Sequence, residues 1–209
     1  MSRPWDRSVF CPDLKLVALL ARPRGQSPRF SVRECGPTVA IKPEMGVHAA
    51  SRLQTFSYVG VQDCPITCCT LERYCWFREA TIVVSVCEPL LQFAREEQFG
   101  ISAYCFMPDH VHIFAEGTSP TSSIRKLIQR WKQKTGYAHR RALGGRLWQG
   151  GYYDHVLRED EDRHAAIRYL LTNPVRAGLV SDVRDYPLWG SSVRDRDELL
   201  SAFFPAETV

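Results

Sequence analysis

The segment Met107-Pro108-Asp109-His110-Val111-His112-Ile113-Phe114 joins a turn dipeptide to residues that alternate between polar and apolar. Successive side chains of a β-strand face opposite ways, so His110 and His112 share one face, and Val111 and Ile113 share the other. Neutral imidazole is the commonest protein metal ligand, and two imidazoles on one strand face can hold an ion between them. The spacing allows two interpretations: a metal site, or two polar residues on the solvent face of a half-buried strand.

The neighbouring sequence predicts further strands. Residues 66–71 and 101–107 have strand composition. The turn at Pro108-Asp109 is short enough to make the second of them a hairpin neighbour of the histidine strand, residues 110–116. Residues 155–158 also read as a short strand. The histidine pair is therefore expected within an antiparallel sheet.

Three helices are predicted around these strands. An amphipathic pattern covers residues 78–99, and Pro89 is expected to kink or divide that helix. A basic helix is predicted over residues 119–142. The last helix is expected to begin at the acidic residues 159–162 and to stop before Pro174, because the residue before a proline is pushed away from helical geometry.

Length and composition predict one globular domain. The chain has 209 residues and 44% hydrophobic content. We assign residues 1–50 to a poorly ordered extension, residues 51–195 to the domain and residues 196–209 to a tail. No apolar run approaches the ~20 residues needed to span a bilayer, and the first residues do not resemble a signal peptide. A cytoplasmic protein without membrane contact is expected.

Eight cysteines lie in the first half of the chain, between Cys11 and Cys105, and none forms a Cys-x-x-Cys pair. In a reducing compartment such residues are expected to be mostly buried thiols, which behave as small hydrophobic side chains. A cysteine zinc site is the alternative, and the absence of paired spacing argues against it.

Charge is distributed unevenly along the chain. The formal net charge is +4, and no acidic residue lies between Glu116 and Asp154. This pattern favours a polyanionic partner such as nucleic acid, although a solvated helix face is the alternative. The basic residues of this window are Arg125, Lys126, Arg130, Lys132, Lys134, Arg140, Arg141 and Arg146.

Tyr169 and Asn173 lie four residues apart in the last predicted helix and so share one face. If that face meets the histidine face, two imidazoles and an amide oxygen could hold a metal beside a phenol. A divalent ion could then position a phosphodiester for attack by the phenol. Each residue also has an ordinary interpretation, Tyr169 as a core aromatic and Asn173 as a helix C-cap.

Three ordered blocks resemble the REP-associated tyrosine transposases, which belong to the single-tyrosine HUH transposases. The blocks are Tyr104-Cys-Phe-Met-Pro-Asp-His-Val-His-Ile-Phe-Ala-Glu-Gly117, Leu147-Trp-Gln-Gly-Gly-Tyr-Tyr-Asp-His-Val-Leu-Arg158 and Ile167-Arg-Tyr-Leu-Leu-Thr-Asn-Pro-Val-Arg-Ala-Gly-Leu-Val180. The resemblance implies an α+β fold, with a ferredoxin-like central antiparallel sheet and packed helices. It extends over roughly residues 52–189.

By this resemblance His110 and His112 are metal ligands, Tyr169 is the nucleophile and Asn173 is the third ligand. The implied cofactor is Mg²⁺ or Mn²⁺, although paired imidazoles by themselves favour a transition metal and make Mn²⁺ the easier fit. The implied partner is single-stranded DNA that contains a hairpin, and the protein would be a monomer or a homodimer.

DNA contacts are expected from two groups of residues. Cations of the basic helix would follow the phosphate backbone, namely Arg125, Lys126, Arg130, Lys132 and Lys134. Aromatic residues would stack on unpaired bases, namely Trp148, Tyr152 and Tyr153. Because some of these rings could simply close the core, stacking is expected from one of the three.

The sequence therefore predicts a metal-dependent enzyme that nicks and transfers single-stranded DNA through a 5′-phosphotyrosine link. Two alternatives remain at this stage. One is a transposase-derived protein that binds DNA or RNA hairpins without turnover. The other is a zinc hydrolase, which is less favoured because no acidic base has suitable spacing beside the histidines.

Overall fold

A computed structural model describes residues 59–154 and 162–205. Its five-stranded sheet has the order β4-β1-β3-β2-β5, and all neighbouring strands are antiparallel. The strands are β1 (Asp63–Cys69), β2 (Phe99–Met107), β3 (His110–Gly117), β4 (Tyr153–Asp154) and β5 (Trp189–Gly190). The predicted α+β fold is confirmed. The predicted extension over residues 1–50 and the predicted strand over residues 155–158 lie outside the described residues.

The β2–β3 hairpin forms as predicted, with Met107 paired to His110 across the Pro108-Asp109 turn. On its other side β3 pairs with β1, which places Cys69 opposite His110 and Thr67 opposite His112. The histidine strand is therefore the central strand of the sheet.

Two long helices cover one face of the sheet: α1 (Ala80–Glu96) and α2 (Ile124–Leu143). Their apolar side chains share a core with Val111 and Ile113 of β3, and Trp131 of α2 is fully buried in it. We call this the α1/α2 face. Short 3-10 turns at Leu71–Arg73 and Trp76–Arg78 connect β1 to α1.

Pro89 does not divide α1, which continues through it as one helix. Proline lacks the N–H that would bond to the carbonyl four residues earlier. That carbonyl belongs to Ser85, an exposed residue, so water can satisfy it. Division of the helix was therefore a wrong prediction.

Three shorter helices lie on the opposite side of the sheet: α3 (Arg163–Leu171), α4 (Asn173–Arg176) and α5 (Arg196–Phe203). Asp162 caps α3 by accepting hydrogen bonds from the backbone N–H groups of His164 and Ala165. The helix ends before Pro174, as predicted, and the proline then occupies the first turn of α4.

The C-terminal residues differ from the tail that the sequence suggests. Residues 196–203 form α5, and its Leu199 and Phe203 are buried against the core of α3. The helix begins with a capping box in which Asp195 and Glu198 exchange hydrogen bonds with each other's backbone N–H groups. This segment is part of the folded unit.

The described residues contain no helix long and apolar enough to cross a membrane. Among the described residues, five cysteines have the buried, free thiols that were expected: Cys64, Cys68, Cys69, Cys87 and Cys105. Burial raises the pKa of the Cys64 and Cys68 thiols to about 12. These thiols are therefore neutral and pack as hydrophobic side chains.

Candidate active site

His110 and His112 direct the same ring nitrogen toward each other. Their Nε2 atoms are 3.0 Å apart, and the rings are nearly perpendicular, at 86°. Both side chains leave the sheet on the same face, as the strand alternation predicted. The pair therefore presents two nitrogen donors to one point.

The opposite ring nitrogens are held by neighbouring side chains. The Nδ1 of His110 donates to the Asp109 carboxylate at 2.6 Å. The Nδ1 of His112 lies 2.9 Å from the Thr67 hydroxyl, on the adjacent strand. Such outer partners fix the orientation of a histidine ring and leave its second nitrogen for a metal.

Arg73 fixes the Asp109 carboxylate in turn. Its Nε lies 2.7 Å from Asp109 Oδ2, and its guanidinium also donates to the Cys69 sulfur at 2.8 Å. The backbone of Arg73 has a φ of 57°, in the left-handed region that non-glycine residues rarely adopt. The turn after β1 thus holds an arginine against the histidine pair.

Burial determines the charge of this group. It lowers the pKa of His110, and it lowers the pKa of His112 well below its ordinary value, an effect that the neighbouring His110 reinforces. Burial opposes ionisation of Asp109, yet the His110 hydrogen bond and the charges of His110 and Arg73 hold the Asp109 pKa below its usual range. Neutral imidazoles beside a carboxylate are the protonation states that metal binding requires.

The distance between the two donors suits a divalent ion. Two nitrogen–metal bonds of about 2.1 Å would subtend roughly 90° at the observed separation of 3.0 Å, the angle between neighbouring octahedral ligands. Among the described residues no group of three His, Cys, Asp or Glu side chains could hold a metal. A third protein ligand from this part of the chain would need another chemical type, such as an amide oxygen.

Helix α3 lies over the sheet face that carries the histidines. Met107 and Phe114 share that face by the strand register, and they pack with Ile167 and Leu170 of α3. We call this the histidine face. The helix that carries Tyr169 therefore lies on the same side of the sheet as the histidines, while Ile167 and Leu170 are its side chains that pack on the sheet.

An ion pair orients the helix. Arg163, its first residue, pairs with Glu116 at the far end of β3 from His110, and also with Asp63. The helix then runs back toward the histidine end. Tyr169 lies about 9 Å along the helix from Arg163, and His112 about 13 Å along the strand from Glu116. Tyr169 therefore lies in the part of α3 that is farther from the Arg163 ion pair.

Tyr169 is half-buried, and the Arg176 guanidinium covers its ring, 4.1 Å from the centroid. Among the described residues its hydroxyl has no hydrogen-bond partner. Asn173 is buried, and its Nδ2 donates to the carbonyls of Tyr169 and Leu170. The Asn173 side chain thus caps the last turn of α3, next to the C-cap residue Thr172, and only its Oδ1 remains to act as a ligand.

One cross-strand row connects the histidine site to the sheet edge. Thr67 pairs with His112 on one side and with Tyr153 of β4 on the other, so all three side chains share the histidine face. Tyr153 is 41% exposed and lies on the edge strand. Tyr153 is one of the three predicted stacking residues. It has an accessible ring and lies beside the histidine site.

Trp148 and Tyr152 differ from Tyr153 in their surroundings. Trp148 is 6% exposed, donates its indole N–H to Thr135 and packs against Trp131 in the core. Tyr152 is partly buried against the same core. The buried ring of Trp148 has no open face for a base, so its assignment to DNA stacking is not supported by its position.

The basic helix α2 lies on the opposite side of the sheet from the histidines. Two of its predicted DNA contacts pair instead with acids at the end of α1: Lys126 with Glu97, and Arg130 with both Glu96 and Glu97. Lys132 donates to the backbone carbonyls of Gln149 and Gly151. The acid-free sequence window is therefore partly neutralised by acids from another helix.

A groove of about 590 Å³ separates α2 from residues 145–152. Its lining holds three arginines for which the described residues provide no ion-pair partner: Arg125, Arg140 and Arg146. Tyr137 and Lys132 also line it. Lys134, the remaining predicted contact, is exposed on the same helix. This cationic groove suits a phosphate backbone and lies across the sheet from the histidine face.

Sequence reasoning missed three residues of the site. Asp109 was read only as part of a turn, although its position beside His110 was a usable signal. Thr67 occupies an alternating strand position 45 residues from His112, and no local pattern marks it. Arg73 also lacks a sequence signal, because its role depends on a left-handed turn that brings it to Asp109.

Known proteins similar in sequence to this chain are transposases. The family profile described as "Transposase IS200 like" matches residues 61–170. A REP-associated tyrosine transposase of Escherichia coli strain K12 is 29% identical over 102 residues, which cover 47% of this chain and 58% of that protein. A Haemophilus influenzae protein whose name also includes REP-associated tyrosine transposase is 27% identical over 108 residues, 46% of this chain and 61% of that protein.

A solved structure shares the fold. It is a REP-associated tyrosine transposase bound to a REP hairpin, and it aligns with a TM-score of 0.56 at 21% identity. The alignment covers 64% of this chain and 79% of the other. The chain matches less than two thirds of the length of the two sequence relatives.

Proposed function

The chain belongs to the IS200-like transposase family, and from this premise we propose that it nicks single-stranded DNA and transfers the strand through a tyrosine-linked intermediate. The observation that carries the proposal is the pair of Nε2 atoms, 3.0 Å apart, on the sheet face covered by the helix of Tyr169. This arrangement supports the proposal because the paired imidazoles and the helix of Tyr169 lie on the same side of the sheet.

In the proposed reaction the Tyr169 oxygen attacks a backbone phosphorus atom and loses its proton. The bond from phosphorus to the 3′ oxygen breaks, and that oxygen takes up a proton to become a free 3′-hydroxyl. The 5′ phosphate remains attached to Tyr169. Because the link conserves a phosphodiester, attack by another 3′-hydroxyl can reverse it and join strands.

His110 and His112, with Asn173 Oδ1 as the proposed third ligand, would hold Mg²⁺ or Mn²⁺. The ion would supply charge stabilisation for the phosphate oxygens and hold the phosphate in line with the phenol. Asp109 and Arg73 keep the His110 ring in position. Arg176 restrains the Tyr169 ring by covering one of its faces.

The DNA would contact both faces of the protein. The groove arginines on the α1/α2 face would hold the phosphate backbone of a hairpin, and Tyr153 would stack on an unpaired base beside the site. Tyr153 lies on the edge strand β4. The single-stranded DNA would therefore pass around this edge of the sheet to reach the histidine face.

The test is a covalent-adduct assay. A hairpin oligonucleotide with a 3′-terminal fluorophore is incubated with the full chain and Mn²⁺, then analysed under denaturing conditions. The 3′-labelled fragment should remain attached to the protein, whereas a 5′-terminal label should leave with the released strand. Tyr169→Phe should abolish the adduct while DNA affinity stays within about twofold, because only the attacking oxygen is lost.

Tyr137→Phe is the matched control, since it removes a hydroxyl on the opposite side of the sheet. The Tyr137→Phe variant should still form the adduct. Chelation of the metal should prevent adduct formation by the wild-type protein. An adduct that persists in Tyr169→Phe would disprove the assignment of the nucleophile.

A second candidate function is hairpin binding without turnover. The observation that favours it is the separation of the cationic groove from the histidine face, since a groove on the other side of the sheet does not depend on the metal site. The same assay separates the two functions: hairpin binding that needs Arg140 and Arg146, without any adduct under Mg²⁺ or Mn²⁺, would support the binding protein.

A further inference from the structure

The two histidines have outer partners of different chemistry. The Asp109 carboxylate, which faces Nδ1 of His110, can only accept a hydrogen bond. The Thr67 hydroxyl, which faces Nδ1 of His112, can donate or accept. Arg73 Nη2 also lies 3.4 Å from Nδ1 of His110, but the Asp109 oxygen at 2.6 Å is the closer partner, so His110 carries its proton on Nδ1 and a lone pair on Nε2. The Thr67 hydroxyl is compatible with either tautomer of His112.

The distance between the Nε2 atoms fits two proton arrangements. In the first, Nε2–H of His112 donates to Nε2 of His110, and the Thr67 hydroxyl donates to Nδ1 of His112. In the second, both Nε2 lone pairs point at one cation, and Nδ1–H of His112 donates to the Thr67 oxygen. Two lone pairs 3.0 Å apart would repel without a proton or a cation between them.

We propose that Thr67 is a positioning residue that allows His112 to exchange tautomers when metal binds, whereas Asp109, held by Arg73, keeps His110 in the ligating tautomer throughout. In the exchange, Nε2 of His112 gives one proton to solvent and Nδ1 takes one from solvent, so the charge of the ring is unchanged. The hydroxyl rotates from donor to acceptor. This inference rests on the proposed function, because it takes His110 and His112 as the metal ligands.

The proposed role of Thr67 requires its hydroxyl group. Valine would fill the same half-buried strand position with nearly the same shape, but it would leave Nδ1 of His112 without a partner in either tautomer. Serine would retain both hydrogen-bonding capacities. Loss of an outer partner typically reduces metal affinity by about 10–100-fold.

The first test is a calorimetric titration of the full chain with Mn²⁺ alone, for the wild type, Thr67→Val, Thr67→Ser and His112→Ala. We expect Thr67→Val to weaken Mn²⁺ binding by about 10–100-fold and Thr67→Ser to remain within about threefold of the wild type. Wild-type affinity in Thr67→Val would overturn the inference. Thermal unfolding of each variant, measured beside the titration, separates a binding defect from a folding defect.

The second test reads the tautomers directly, by nitrogen-15 NMR of the histidine side chains with and without Mg²⁺, which is diamagnetic. His110 should carry its proton on Nδ1 in both samples, whereas His112 should move its proton from Nε2 to Nδ1 when Mg²⁺ is added. A His112 that carries Nδ1–H in both samples would overturn the inference, whether or not Thr67→Val folds stably.

The titration also separates this inference from the proposed function. If the wild type binds no Mn²⁺, or if His112→Ala binds it as tightly as the wild type, the histidine metal site itself is disproved. If the wild type binds and His112→Ala does not, the metal site stands, and the Thr67 variants then decide the tautomer inference alone.

Discussion

The two faces of β3 use the same backbone for different purposes. On the α1/α2 face, Val111 and Ile113 enter a core that two long helices close. On the histidine face, Phe114 packs under α3 while His110 and His112, nearer the hairpin, retain polar partners. One strand thus combines a packed scaffold with a polar site, and the rigid face supports the accurate placement of the other.

Stability and chemistry can therefore be separated within a single strand. A substitution at Val111 or Ile113 should mainly affect folding. A substitution at His112, between them, should mainly affect metal binding and catalysis, because the alternation of side chains directs His112 to the other face.

The largest stability effect is expected from Ile113→Ala. Ile113 is fully buried, so the substitution should lower the free energy of unfolding by about 2–5 kcal/mol through lost burial and a residual cavity. His112→Ala is the matched control one residue away, and it should cost about 1 kcal/mol while abolishing adduct formation. Chemical denaturation of both variants tests the separation, which equal losses of stability would contradict.

A smaller effect is expected at the edge of the histidine face. Tyr153→Leu should weaken binding of an unpaired oligonucleotide by about 5–150-fold if one base stacks on the ring. Leu143→Ala shortens an exposed side chain of α2 that does not line the cationic groove, and it should leave this affinity nearly unchanged. Fluorescence anisotropy measures both, and equal losses would show that the unpaired strand does not distinguish the two faces.

The smallest effect concerns alkaline pH. Cys64 and Cys68 lie in the α1/α2 core, where burial raises the thiol pKa from 9.0 to about 12. The unfolded state therefore loses protons first, and the stability from these neutral thiols is present below about pH 9 and declines as pH rises toward 12. At pH 10 the loss should be about 1 kcal/mol per thiol.

Denaturation curves between pH 7 and pH 10 measure this decline, and Cys68→Ala should make it shallower. A slope that does not change in the variant would exclude Cys68 as a source. Slow alkylation of the native thiols at pH 8 would provide independent support for their burial.

Local sequence patterns were sufficient for the elements and insufficient for their contacts. The alternation of residues 110–114 predicted the strand and its histidine face because a period of two residues is a property of the backbone. The helix that contains Tyr169 was also predictable, from its acidic start and from Pro174. The α+β fold followed from the order of these elements and from the family resemblance.

The remaining features depend on contacts between distant segments. The pairing of Arg130 with Glu96 and Glu97 neutralises a helix that looks uniformly basic in sequence. Whether Pro89 divides its helix depends on whether the unpaired carbonyl meets water, which the sequence does not show. Whether α2 lies on the histidine face or across from it is likewise a property of tertiary packing.

The ion pair between Arg163 and Glu116 implies that salt would act on this protein twice. Counterions compete with phosphate contacts and weaken DNA binding, and they also screen the attraction that holds the first turn of α3 to the sheet. The second effect would change the seating of the helix that carries Tyr169 rather than the affinity for DNA. Strand cleavage should therefore fall more steeply with ionic strength than DNA occupancy does.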